Sequence, residues 1–97
     1  MKDKNEILKI LKDIKPILER DYNITEIGLF GSYLRGEQNQ NSDIDILLDH
    51  NRGLTFFKLI DLENFLTKVF DIKVDIAFKK YLKRNIGKKI LSEVNYV

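Results

Sequence analysis

The sequence predicts an α/β domain of the α+β type, with a small mixed three-stranded sheet flanked by helices. Three observations predict it. Apolar residues recur at helical spacing in three long segments, while three shorter runs between them are β-prone. The two kinds alternate in the order helix, strand, short helix, strand, helix, strand, helix, which is the pattern of a layered α/β structure. No linker, repeat or low-complexity tract divides the 97 residues, so residues 1–97 read as one domain.

Each element has its own warrant. Ile7, Leu8, Leu11, Ile14, Ile17 and Leu18 mark a first helix over residues 4–21, with lysines and acids between them. Pro16 lies inside it, and its missing N–H and its ring should kink the helix or restart it there. Residues 24–30 form a short β-prone run closed by Gly31-Ser32. Gly28 falls inside that strand, where glycine usually means close packing against backbone. After Gly31 the polar stretch 33–42 can start as one helical turn and should continue as an exposed loop. Asp-Ile-Asp-Ile-Leu-Leu at 43–48 reads as a second strand whose apolar end suits a central position. A turn over 49–53 follows, with the single histidine, His50, expected in solvent there. Residues 54–70 carry Leu62, Phe65, Leu66, Val69 and Phe70 on one helical stripe. Residues 73–78 are the third strand. A last helix over 81–94 has Ile86, Ile90, Leu91 and Val94 facing inward, and Gly87 predicts a ragged start. About a dozen residues join the first two strands, which fits either orientation; hence the expectation of a mixed sheet.

Composition removes several classes of function. With no cysteine, a disulfide scaffold and a thiolate zinc site are excluded, and with one histidine a zinc hydrolase or a Cys/His nucleophile lacks its residues. The charged start of the chain has no apolar signal region, and no segment is long enough to span a bilayer, so a cytoplasmic protein with no membrane partner is expected. The formal net charge of +2 is too balanced to argue for direct nucleic-acid binding. Lys79, Lys80, Lys83, Arg84, Lys88 and Lys89 nevertheless gather near the end of the chain, where Glu93 is the only acid after Asp75. That segment is either a solvated helix face or a surface for phosphates or an acidic partner.

The chemistry sits elsewhere. Asp43 and Asp45 are two apart in a predicted strand, so their carboxylates project to the same side and repel. Such a pair is either exposed or built to hold a divalent cation, and an oxygen-only donor set suits magnesium. Asp75 interrupts an apolar strand between Val74 and Ile76, and it reaches the same pocket if the second and third strands are neighbours. Gly31-Ser32 closes a strand and opens a helical turn, an arrangement in which backbone N–H groups and a hydroxyl can donate to phosphate. Arg35 is placed to clamp a phosphate bidentately, or simply to lie on the surface beside Gly36. Ser42 precedes the acids and would cap or orient the start of the second strand.

Taken together, Gly31-Ser32, ten intervening residues, Asp43-x-Asp45 and a third aspartate in the next strand form a long ordered constellation. Gly-Ser-Tyr-Leu-Arg-Gly at 31–36 followed by Ser-Asp-Ile-Asp-Ile at 42–46 resembles the signature of the DNA polymerase beta-type nucleotidyltransferase superfamily. The length and the Arg35-Gly36 pair point to its minimal nucleotidyltransferase (MNT) branch, and the resemblance covers nearly the whole chain. It implies the nucleotidyltransferase fold, ATP as nucleotide donor and two magnesium ions. Asp43, Asp45 and Asp75 would be the catalytic metal ligands. Gly31 and Ser32 would hold phosphates, with Arg35 and Ser42 beside them. MNT proteins resemble antitoxins paired with a HEPN-type toxin, so the resemblance further implies transfer of AMP to a tyrosine of such a partner. Two alternatives stand against this: a non-catalytic antitoxin that neutralises by binding, and a small-molecule nucleotidyltransferase that borrows a substrate-binding subunit.

Overall fold

The computed structural model describes residues 2–97. Helix α1 (Lys4–Tyr22) is followed by strand β1 (Ile24–Phe30), the single-turn helix α2 (Ser32–Arg35) and strand β2 (Ile44–His50). Helix α3 (Phe56–Phe70), strand β3 (Val74–Phe78), a 3-10 turn (Lys79–Tyr81), helix α4 (Arg84–Glu93) and strand β4 (Asn95–Tyr96) complete the chain.

Helix α1 starts on a capping box. The Asp3 carboxylate accepts from the Glu6 amide at 2.9 Å, and Glu6 reaches back to the Asp3 amide. It ends at Asn23 in the left-handed conformation, φ 57°, which asparagine tolerates better than most residues. The helix runs through Pro16 without restarting. Lys12 and Pro16 both lie on its exposed side, where water can satisfy the carbonyl that a proline cannot serve. Thr55 caps α3 by accepting from the Lys58 amide at 3.1 Å.

The sheet has four strands, one more than the sequence predicts, in the order β3-β2-β1-β4. It is mixed, as expected: β1 runs antiparallel to β2 and β4, while β2 and β3 are parallel. Strand β4 is two residues long, too short to show an alternation, and it pairs with Gly28 and Leu29. Alternation along β2 puts Ile44, Ile46, Leu48 and His50 on one face, the face that joins Ile27 and Leu29 of β1 in the main core. From α1 come Ile7, Leu11, Ile14 and Leu18, and from α3 come Leu62, Leu66 and Phe70. Burying each of these side chains contributes roughly 1.5–3 kcal/mol.

The same alternation corrects the expectation for His50. Strand β2 continues two residues past Leu48, so the histidine is the end of a buried row, 5% exposed, with its ring 5.5 Å from that of Phe78. Helix α4 corrects another. Ile90 is buried, but Ile86 and Leu91 are exposed. This helix lies on the other face of the sheet, where Val94 comes against Gly28. Its start is ragged, with a 3-10 turn and a gap before Arg84.

Candidate active site

The opposite face of β2 carries Asp45, Leu47 and Asp49. Pairing in the sheet then decides which acids meet. Asp45 stands opposite Phe30 of β1 on one side and opposite Asp75 of β3 on the other. The parallel register therefore brings Asp45 and Asp75 side by side, although they are 30 positions apart in the chain with helix α3 between them. Asp43 lies just before β2, half-buried, with its carboxylate 3.5 Å from Lys73 Nζ. Asp75 is exposed.

The antiparallel pairing of β1 with β2 delivers the glycine. Gly31 follows Phe30 and so arrives at Asp45. Its φ is +78°, and a Cβ built there would fall 2.1 Å from Asp45 Oδ2. Any side chain would enter the volume of the carboxylate, so glycine is required both by conformation and by contact. Ser32 begins α2 beside it. The Ser42 hydroxyl turns back on its own loop and accepts from the Asn39 amide at 2.9 Å, so it shapes the approach to β2.

Electrostatics single out Asp45. Burial pushes its carboxyl up to about 6, the nearby Asp75 and Asp43 push in the same direction, and Arg35 opposes them. Among the described residues, no three His, Cys, Asp or Glu side chains converge closely enough to form a finished metal cage. Magnesium takes few carboxylates and leaves its remaining positions to phosphate and water.

Two partners of this site were not legible in the sequence. Arg35 Nε donates to Glu37 at 2.6 Å, and Arg35 Nη1 donates to both oxygens of Glu93 at 3.0 Å each. Glu93 also accepts from the Gly31 amide at 3.2 Å. The one available signal for Glu93 was its isolation as the only acid in a basic segment. Beside these groups opens a cavity of about 440 Å³, lined by Phe30, Gly31, Arg35, Ile86, Ile90 and Glu93 among others. Of the basic cluster, Lys79 pairs with Glu26, and Lys80 with Asp49 and the His50 carbonyl.

A glycine and an arginine next to three acids at one end of a mixed sheet match a known pattern. The nucleotidyltransferase domain family matches residues 6–97. The chain belongs to that family. A protein adenylyltransferase of Thermococcus cleftensis, MntA, is 42% identical over 92 residues that cover 95% of this chain and 93% of the relative. A Methanocaldococcus jannaschii protein provisionally named a protein adenylyltransferase is 43% identical over 96% of this chain and 95% of its own length. Among solved structures, a toxin–antitoxin crystal structure with AMP-PNP aligns with a TM-score of 0.70 at 27% identity, over 98% of this chain and 72% of that one. A minimal nucleotidyltransferase aligns with a TM-score of 0.83 at 23% identity, over 97% of this chain and 95% of that one, which speaks for the fold alone. The match spans Gly31, Ser32, Asp43, Asp45 and Asp75.

Proposed function

We propose that this chain is a magnesium-dependent nucleotidyltransferase that moves AMP from ATP onto a tyrosine hydroxyl of a HEPN-type toxin and acts as its antitoxin. The observation that carries the reading is the register of Asp45 with Asp75, with Gly31 against the Asp45 carboxylate. It brings the Gly31 backbone, which would contact phosphate, to the same place as Asp45 and Asp75. The name of the Thermococcus cleftensis relative supports protein adenylylation, and the AMP-PNP complex of a toxin–antitoxin pair supports an adenine nucleotide and a protein partner.

The residues fit the metal that this activity implies. Asp43, Asp45 and Asp75 are oxygen donors, and a divalent cation would offset both the burial of the Asp45 carboxylate and its repulsion by the other two. These three would hold two magnesium ions, which when bound lower the pKa of the attacking hydroxyl and offset charge on the leaving pyrophosphate. Gly31 and Ser32 would bind the β- and γ-phosphates, with Arg35 as a further cation. The tyrosine oxygen attacks the α-phosphorus, the bond to the bridging oxygen breaks, and pyrophosphate departs. Asp75, the exposed acid, would take the tyrosine proton.

The test is intact-mass spectrometry of the cognate HEPN-type protein after incubation with this chain, ATP and magnesium. AMP-sized additions, lost with Asp43→Ala/Asp45→Ala, are the expected result. If the double variant still neutralises the partner at equal expression, and no mass is added by either protein, the chain acts by binding alone.

A further inference from the structure

Glu93 stands on the two donors that a bound triphosphate would use. One carboxylate oxygen accepts from the Gly31 amide at 3.2 Å and from Arg35 Nη1 at 3.0 Å, and the other accepts from the same Nη1 at 3.0 Å. A carboxylate and a phosphate ask the same of an arginine fork and a backbone N–H: anionic oxygens that accept charge-assisted hydrogen bonds. Glu93 is only 22% exposed, yet it borders the 440 Å³ cavity, so there is room for an incoming anion and for a displaced side chain.

Holding Arg35 in place does not require Glu93. Glu37 already grips the Nε side of the guanidinium at 2.6 Å. Nor is there a structural need for a side chain on the Gly31 amide when the cavity is open beside it. The backbone around Glu93 is fixed, because Val94 abuts Gly28 and Asn95–Tyr96 pairs with β1. The carboxylate can therefore leave by rotating its own torsions while α4 stays docked. Its charge adds to those of Asp43, Asp45 and Asp75, so while it remains, a triphosphate meets four acids and an arginine that is already neutralised.

We propose that Glu93 is an internal competitor for the phosphate cradle: it holds the Gly31 amide and Arg35 in the free protein, is displaced by a nucleoside triphosphate, and so sets the affinity for nucleotide. This rests on the reading of Gly31 and Arg35 as that cradle.

Calorimetric titration with magnesium–AMP-PNP tests both layers. Glu93→Gln keeps the volume and removes the charge, and should bind about threefold to fivefold tighter, the size expected for one partly exposed like charge. Arg35→Gln should bind at least about tenfold weaker, as for a lost charged hydrogen bond. If Arg35→Gln weakens binding and Glu93→Gln does not strengthen it, the competitor role is overturned and the cradle stands. If Arg35→Gln binds like the unaltered chain, the cradle reading fails and the proposal with it. A readout that needs no variant is the 13C signal of the Glu93 carboxyl in the unaltered protein. It should move when AMP-PNP is added, together with the Gly31 amide signal. A shift of Gly31 with an unmoved Glu93 carboxyl also overturns the proposal.

Discussion

At Gly31 two constraints coincide, a φ of +78° and an Asp45 oxygen 2.1 Å from where a Cβ would go. Gly31→Ala should therefore cost about 1–3 kcal/mol, the usual cost of such strain, and should displace the Asp45 carboxylate. Thermal unfolding and the mass-addition assay would show both losses together. Asp45 itself makes a pH prediction. Its carboxyl titrates near 6 in the folded chain and near 3.8 when unfolded. Between those values the folded state keeps a proton that the unfolded state has released, so stability falls as pH rises from about 4 to 6 and is level above. The carboxylate is only half-buried, which reduces the effect to roughly 1 kcal/mol. In EDTA, Asp45→Asn should unfold at a higher temperature than the unaltered chain at pH 7.5, and the difference should vanish at pH 4. Equal melting at pH 7.5 would show that burial of this charge costs nothing. Which acids lie on one side of β2 could be read from their spacing of two. That Arg35 is held by an acid 58 residues away could not, because no local pattern encodes it.

Strand β4 and the end of α4 depend on Gly28. A Cβ there would come 2.4 Å from Val94 Cγ2 and 3.3 Å from the Tyr96 ring. Gly28→Ala should push both off β1 at a cost of about 1–3 kcal/mol, as overpacking does. The Val97 amide, bonded to the Ile27 carbonyl at 2.9 Å, should then exchange its hydrogen much faster, while amides of α1 change little. The sequence had already marked Gly28 as a place of close packing, although not what packs there. Strand β1 has the bounds that its β-prone run predicts, and α3 buries Leu62, Leu66 and Phe70 from its stripe. A two-residue strand is different. It has no periodicity of its own, and its pairing is set by the partner edge. Helix α4 misled for a related reason. Its apolar stripe is wider than the surface it covers, so Ile90 is buried while Ile86 faces the open cavity.

For the molecule as a whole, the acids work against folding and a bound ligand works for it. Magnesium–ATP at about a hundred times its Kd would add about 2.7 kcal/mol to the stability of the folded chain. In a domain of this size that raises the unfolding midpoint by roughly 10 °C or more. The shift should be absent in Asp43→Ala/Asp45→Ala, and a shift that persists there would place nucleotide binding elsewhere. The nucleotide motif and the alternation of elements were visible along the chain, and with them most of the architecture. The meeting of Asp45 and Asp75 was visible only as a condition, since strand neighbours across a helix are a long-range choice. That parallel register has one more consequence. Sliding β3 by a single residue would put Val74 or Ile76 beside Asp45 and turn Asp75 toward α3. The same alignment that hides Val74 presents Asp75, so a misaligned chain loses hydrophobic burial and chemistry in one step. The specific activity of a refolded preparation would then count the molecules whose strands have found their correct alignment, a quality control that optical measures of secondary structure cannot supply.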